Sequence, residues 1–104
     1  MIVYEEDFIK RLSELRIQKG VSAREMSLSI GQSASYINKI ENHAALPSMN
    51  VFFYICDYLD ISPEEFFAFH VKYPYETQNI IKNLSRLNAD QLDHINSIVE
   101  DIIR

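Results

Sequence analysis

The sequence predicts an all-α fold: a five-helix domain over residues 5–69, followed by a C-terminal helical extension over residues 76–104. Apolar side chains recur three and four residues apart, the spacing of an amphipathic helix, and no stretch of any length alternates apolar with polar. Strong breakers are scarce, with two glycines and three prolines in 104 residues, all lying between the apolar-periodic segments. Hydrophobic residues make up 47% of the chain. That excludes a disordered polymer and supplies a core for one compact domain, or a smaller one with an accessory element.

The first helix is predicted over Glu5–Lys19, where Phe8, Leu12 and Leu15 share a face and Gly20 provides the stop. Ser22 is an N-cap, and Glu25, three residues on, completes a capping box for a second helix over Ala23–Ile30. Met26 and Ile30 face inward from it, and Gly31 supplies the positive φ of a sharp turn. Ser33 caps a third helix over Ala34–Asn42, with Ile37 and Ile40 turned inward. His43–Leu46 is a loop closed by Pro47, and a fourth helix, capped by Ser48, carries Val51, Phe52, Ile55 and Leu59. Ser62-Pro63-Glu64-Glu65 combines a cap, a proline at the first helical position and two first-turn acids. A short fifth helix starts there, and Phe66 and Phe67 pack it back on the core.

Val71–Tyr75, which holds Pro74, reads as a linker. Two helices follow over Glu76–Leu87 and Asp90–Ile103, separated by Asn88-Ala89, with Asn88 capping the second. Leu92, Ile95, Val99 and Ile102 are spaced 3, 4, 3, as in a coiled-coil seam, and Ile98 and Ile103 widen that face. Ile80, Ile81, Leu84 and Leu87 form its upstream partner. There is no internal repeat and no low-complexity tract.

Several function classes are excluded at this level. Cys56 is the only cysteine, so neither an internal disulfide nor a cysteine-based zinc site can form, and a reducing compartment fits best. Its place on an apolar helix points to a buried, inert thiol. No apolar run approaches the roughly 20 residues that cross a bilayer. The N-terminus turns acidic at Glu5-Glu6-Asp7, unlike a signal peptide, so a cytoplasmic protein without a membrane partner is expected. His43, His70 and His94 lie in different elements without metal-ligand spacing. No glycine loop cradles a phosphate, and no Ser/His/Asp or Cys/His arrangement is supported. The expectation is no enzyme, no metal and no cofactor. Phe52, Phe53, Tyr54, Tyr58, Phe66, Phe67 and Phe69 read as core or interface rather than as the lining of a ligand box.

Two short helices joined by a tight glycine turn make a helix-turn-helix unit. A small residue must sit mid-way along the second helix, where the third crosses closely, and Ser27 is there. Gly31 makes the turn, and Met26, Ile30, Ile37 and Ile40 lock the two helices at a fixed angle. Around this unit the chain resembles the Cro/phage-repressor-type helix-turn-helix regulators, the xenobiotic-response-element family. The resemblance runs without a gap over Phe8–Phe67: Phe8…Leu12…Leu15-Arg16, Gly20-Val21-Ser22, Glu25-Met26-Ser27…Ile30-Gly31, Ser35-Tyr36-Ile37…Lys39-Ile40-Glu41-Asn42, Pro47-Ser48, and Ile55-Cys56…Leu59-Asp60-Ile61-Ser62…Glu65-Phe66-Phe67.

The resemblance implies a lambda-repressor-like five-helix domain whose third helix enters the major groove, two domains binding half-sites about one helical turn apart. The groove-facing positions it implies are Ser33, Ala34, Ser35, Asn38 and Lys39, with Tyr36, Asn42, Ala23 and Arg24 completing the DNA-binding surface. An Asn38 amide can pair bidentately with adenine, Ala34 can meet a thymine methyl, and Ser35 can donate or accept. Lys39 suits a phosphate. Ser33 is read equally as a contact and as a helix cap. Arg16 and Glu41 occupy the positions of an ion pair between the first and third helices.

The chain also departs from the family. Ala23 stands where a phosphate-contacting Gln is common, His43 where a Gly usually follows the third helix, and the next loop is the uncharged Ala44-Ala45-Leu46. The net charge is −5, and the part through Ala68 carries six basic and ten acidic residues. The basic residues expected near DNA are Arg24 and Lys39, with Lys10, Arg11 and Lys19 behind them. So sparse a set implies a weak monomer, since phosphate affinity rests on Lys and Arg. The sequence therefore predicts a transcriptional repressor that binds a palindromic operator in double-stranded DNA as a homodimer. Ile80, Leu84, Leu92, Ile95, Val99 and Ile102 form the expected dimer interface, the alternative being that they cover the flank of the domain. The rival function is a protein-interaction module of the same fold, an antitoxin or antirepressor bound to a protein partner.

Overall fold

The computed structural model describes residues 3–68 and 72–104, which divide into two units, Met1–Phe69 and His70–Arg104. Phe69, His70 and Val71 lie outside the described residues, and with them the predicted end of the first domain and the start of the linker. Among the described residues the secondary structure is helical throughout.

The first unit holds α1 (Val3–Lys19), α2 (Ala23–Ser29), α3 (Tyr36–Glu41), α4 (Met49–Leu59) and α5 (Pro63–Phe66). Its core draws Phe8, Ile9 and Leu12 from α1, Met26 from α2 with Ile30 at its end, Ile37 and Ile40 from α3, Phe52, Ile55 and Cys56 from α4, and Phe66 from α5. Ile9 was not among the inward residues predicted for α1; Leu15, which was, packs only partly buried against the cluster. Phe8, Phe52 and Phe66 form an aromatic centre, with Phe8 and Phe66 rings 5.0 Å apart and Phe52 meeting Phe66 edge-on at 5.2 Å. Phe67 also packs back on this centre, its ring 5.3 Å from that of Phe52, while the residue stays 49% exposed. A four-residue helix can turn only one of two consecutive side chains inward.

Local chemistry sets most element boundaries. Ser22 accepts a hydrogen bond from the Glu25 N–H at 3.0 Å, although no return bond from Glu25 closes the predicted box. Ser48 caps α4 through the Val51 N–H. Ser62 and Glu65 form the complete box that sequence leaves implicit, at 3.1 and 3.2 Å, with Pro63 in the first turn. Arg11 ties this short helix to α1, donating to the carbonyls of Phe66 (2.9 Å) and Glu65 (2.8 Å). An apolar groove of about 450 Å³ opens on the same unit, lined among others by Tyr4, Phe8, Leu46, Met49, Phe53 and Phe67.

The second unit holds α6 (Pro74–Leu84) and α7 (Ala89–Ile103). Pro74, placed in the linker by sequence, instead opens α6, since a proline is pre-set for the first turn of a helix. α6 ends three residues earlier than predicted, where the Ser85 hydroxyl donates to the Lys82 carbonyl. Asn88 caps α7 in a full capping box with Gln91, at 2.9 and 3.1 Å. No residue of α7 is buried: Leu92, Ile95 and Val99 are 38–44% exposed and Ile102 74%. Ile80 and Ile81 on α6 are more than half exposed, and Leu84 and Leu87 are half-buried.

Candidate nucleic-acid interface

The turn between α2 and α3 is built around Gly31. Its φ of +77° permits the Gly31 N–H to reach the Leu28 carbonyl (3.1 Å) and the Gln32 N–H to reach that of Ser27 (2.9 Å). These two bonds close a Schellman motif. A Cβ on Gly31 would meet nothing within 4 Å, so the requirement is conformational rather than spatial. The next bond, from the Tyr36 N–H to the Ser33 carbonyl at 3.0 Å, makes Ser33–Tyr36 a tight turn.

This turn displaces the predicted start of the third helix. α3 begins at Tyr36, not Ala34, and Ser33 is not its cap. Ser35 occupies the capping position and makes no side-chain cap bond. The acceptor comes instead from α2. Ser27 is completely buried, its Oγ donates to the Ala23 carbonyl at 2.7 Å, and it accepts from the Ile37 N–H at 2.9 Å. Sequence asked only for a small residue at Ser27; alanine would have met that demand, so the hydroxyl was the unread signal.

The other end of α3 is held by a fork. Arg16 Nε lies 2.7 Å from Glu41 Oε2 and Arg16 Nη2 lies 3.0 Å from Oε1, a bidentate pair that fixes orientation as well as distance. Ser13 donates a further 2.7 Å bond to Glu41, and Arg16 Nη1 donates to the Val21 carbonyl at 2.9 Å. Both side chains are about 15% exposed. Burial pushes the Glu41 carboxyl up, but hydrogen bonds from Arg16 and Ser13 and the guanidinium charge leave it below the usual carboxylate range. The hydrogen bond to Glu41 likewise raises Arg16. Ser13 and the Val21 carbonyl were not foreseen, because neither carries a spacing signal.

With Ile37 and Ile40 inward and Glu41 engaged, α3 presents Asn38, Lys39 and Asn42 to solvent. Ser35, Lys39 and Asn42 stand three or four residues apart, so they form one stripe, and Asn38 lies one turn before Asn42. Ser33 and Ser35 are exposed and Ala34 half-buried in the turn leading in. Tyr36 packs partly against the core, and burial raises its phenol above the ordinary value. On α2, Arg24 is exposed and Ala23 half-buried. Arg11 is occupied by α5, and the Lys19 ammonium sits 4.8 Å over the Tyr58 ring. Lys10, Arg24 and Lys39 form no ion pair among the described residues. No group of His, Cys, Asp and Glu among them could hold a metal, and no helix is long and apolar enough to cross a membrane.

This arrangement of pinned helix, glycine turn and polar stripe defines a helix-turn-helix protein. A sequence model described as helix-turn-helix matches residues 12–66. Among solved structures the chain is similar to the restriction-modification controller protein C.AhdI from Aeromonas hydrophila. Identity is 30% over 64% of this chain and 100% of that one, with a TM-score of 0.58. No curated protein matches. The chain belongs to the helix-turn-helix family, of the Cro/C1 type, and is a DNA-binding transcriptional regulator.

Proposed function

We propose that the protein is a repressor that binds a palindromic operator as a homodimer, each copy reading one half-site with α3 in the major groove. The observation that carries this reading is the stripe of Ser35, Asn38, Lys39 and Asn42 on a helix held at both ends, by Ser27 and by the Arg16–Glu41 fork. A helix so fixed can present hydrogen-bonding groups to base edges in one register. Asn38 is assigned the base contact, Ser33, Ala34 and Ser35 approach the groove from the turn, and Tyr36 and Asn42 flank it. Arg24 and Lys39 take phosphates, with Ala23 packed against the backbone beside them. The solved relative is a controller of a restriction-modification system, and control of a gene set of that kind is a role in keeping with the similarity.

The dimer is assigned to Ile80, Leu84, Leu92, Ile95, Val99 and Ile102. α7 leaves its aliphatic seam exposed in a single chain, and a helix with an unburied apolar face gains by meeting a second one. With few phosphate contacts per copy, the second half-site raises affinity through effective concentration rather than new contacts.

Selection of duplexes from a random pool tests the DNA reading. The parent should enrich a two-fold symmetric site, and Asn38→Ala should relax preference at one position of each half-site, costing about 1–3 kcal/mol there. No enrichment at low salt would sink the reading. The second reading, a module of the same fold bound to a protein partner, is favoured by the net charge of −5 and the apolar groove beside Phe8 and Phe67. Absence of duplex enrichment would turn attention to it.

A further inference from the structure

We infer that Ser27 is a positioning residue for DNA recognition, acting through the first turn of α3; this rests on the assignment of α3 as the reading helix. The opening N–H groups of a helix have no partner within it and must find one elsewhere. In α3 the Tyr36 N–H is taken by the Ser33 carbonyl, and the Ile37 N–H is taken by Ser27 Oγ. That acceptor lies ten residues back, on another helix, and Ser27 is fully buried, so water does not substitute for it.

The bond does more than satisfy a donor. The Ser27 hydroxyl has a single proton, which the Ala23 carbonyl accepts at 2.7 Å, so its lone pairs are left aimed at Ile37. An N–H···O bond is directional as well as short. Fixing the Ile37 amide therefore fixes how far α3 stands from α2 and how it is rotated about its own axis. Asn38 is the next residue and inherits that rotation. The buried Ile37 and Ile40 set the packing of α3, and the Arg16–Glu41 fork holds its far end. Without the Ser27 bond the first turn is held by apolar contact alone and can pivot. A bidentate contact to a base edge does not tolerate such a pivot, whereas a Lys or Arg on a phosphate does. Ser27 thus governs specificity more than overall affinity.

The test is Ser27→Ala in the full chain, which keeps the small side chain and removes the acceptor, beside Ile55→Val on α4 as a control for general loosening of the core. Amide exchange at Ile37, followed by NMR, should quicken by about tenfold or more in Ser27→Ala relative to the control, because local opening no longer breaks a bond. The ratio of affinity for the selected duplex to that for random duplex should fall about five- to tenfold, with the salt slope of random-duplex binding unchanged. Ile55→Val should leave the ratio where it was. Fast exchange at Ile37 with an unaltered ratio would reduce Ser27 to a structural cap and overturn the positioning role. Unaltered exchange would overturn the bond itself. A parent protein that prefers no duplex would overturn the DNA reading of α3, and this role with it, an outcome recognised before any substitution is made.

Discussion

Glu41 carries three interactions on one carboxylate: two from the Arg16 fork and one from the Ser13 hydroxyl. Its carboxyl is lowered in the folded state despite the opposing effect of burial. A depressed folded value means the stabilisation is complete above the unfolded Glu pKa of about 4.3 and is lost as pH falls through the folded value. Glu41→Gln keeps the shape but replaces charge-assisted bonds by neutral ones, so it should cost about 1–2 kcal/mol at pH 7. Denaturant unfolding of both proteins across pH should show the gap closing as pH falls below the unfolded Glu value and through the lower folded one. A constant gap would mean that the pair contributes shape and not charge. Of this constellation, Arg16 and Glu41 were legible only through family resemblance; their 25-residue separation has no periodicity to betray it. The bonds of Ser13, of the Ser27 hydroxyl and of Arg11 to α5 were silent because each acts on a partner brought near by the fold, not by the chain.

At the scale of elements, four helices end in the same way. α1, α2, α3 and α4 each close on a left-handed residue: Gly20, Gly31, His43 (φ 64°) and Asp60 (φ 57°). At His43 the motif is complete, with its N–H on the Ile40 carbonyl at 3.0 Å and the Ala44 N–H on that of Lys39 at 2.8 Å. The left-handed conformation costs an L-residue with a Cβ roughly 1–2 kcal/mol, and Asp bears it better than most because its side chain can bond locally. His43→Gly should therefore raise stability by about 0.5–1 kcal/mol, visible as a higher unfolding midpoint, while Asp60→Gly should gain less. A loss at His43 would show that its imidazole makes compensating contacts. The gain would fall at the end of α3, where fraying would blur the direction of Asn42. Element boundaries were readable wherever the signal was local, as at Gly20, Ser48, Ser62 and Asn88. The start of α3 was misread by two residues because Ser33 looks like a cap in isolation. Only the fold reveals that a turn lies there and that Ser27 supplies the cap.

For the whole molecule the governing quantity is how little positive charge faces DNA. Of the cations expected near it, Arg11 and Lys19 are committed to α5 and Tyr58, leaving Lys10, Arg24 and Lys39, of which Arg24 and Lys39 are the proposed phosphate contacts. A dimer using these two residues per copy would neutralise about four phosphates, so log K should fall with log salt at a slope near −4. Lys39→Ala should flatten that slope by about 2, one phosphate for each half-site, and weaken all sequences alike. Joining of the copies is the other half of the argument, because a slope near −2 describes a monomer too weak to select a site. Val99 sits at the middle of the exposed α7 seam, and a buried, unpaired carboxylate there would oppose association strongly. Val99→Asp should give a monomer by sedimentation, halve the salt slope and abolish preference for the two-fold site, while the helix-turn-helix unit stays folded. If Val99→Asp keeps the parent's slope and site preference, the copies meet elsewhere, and the apolar groove beside Phe8 and Phe67 becomes the surface to mutate next.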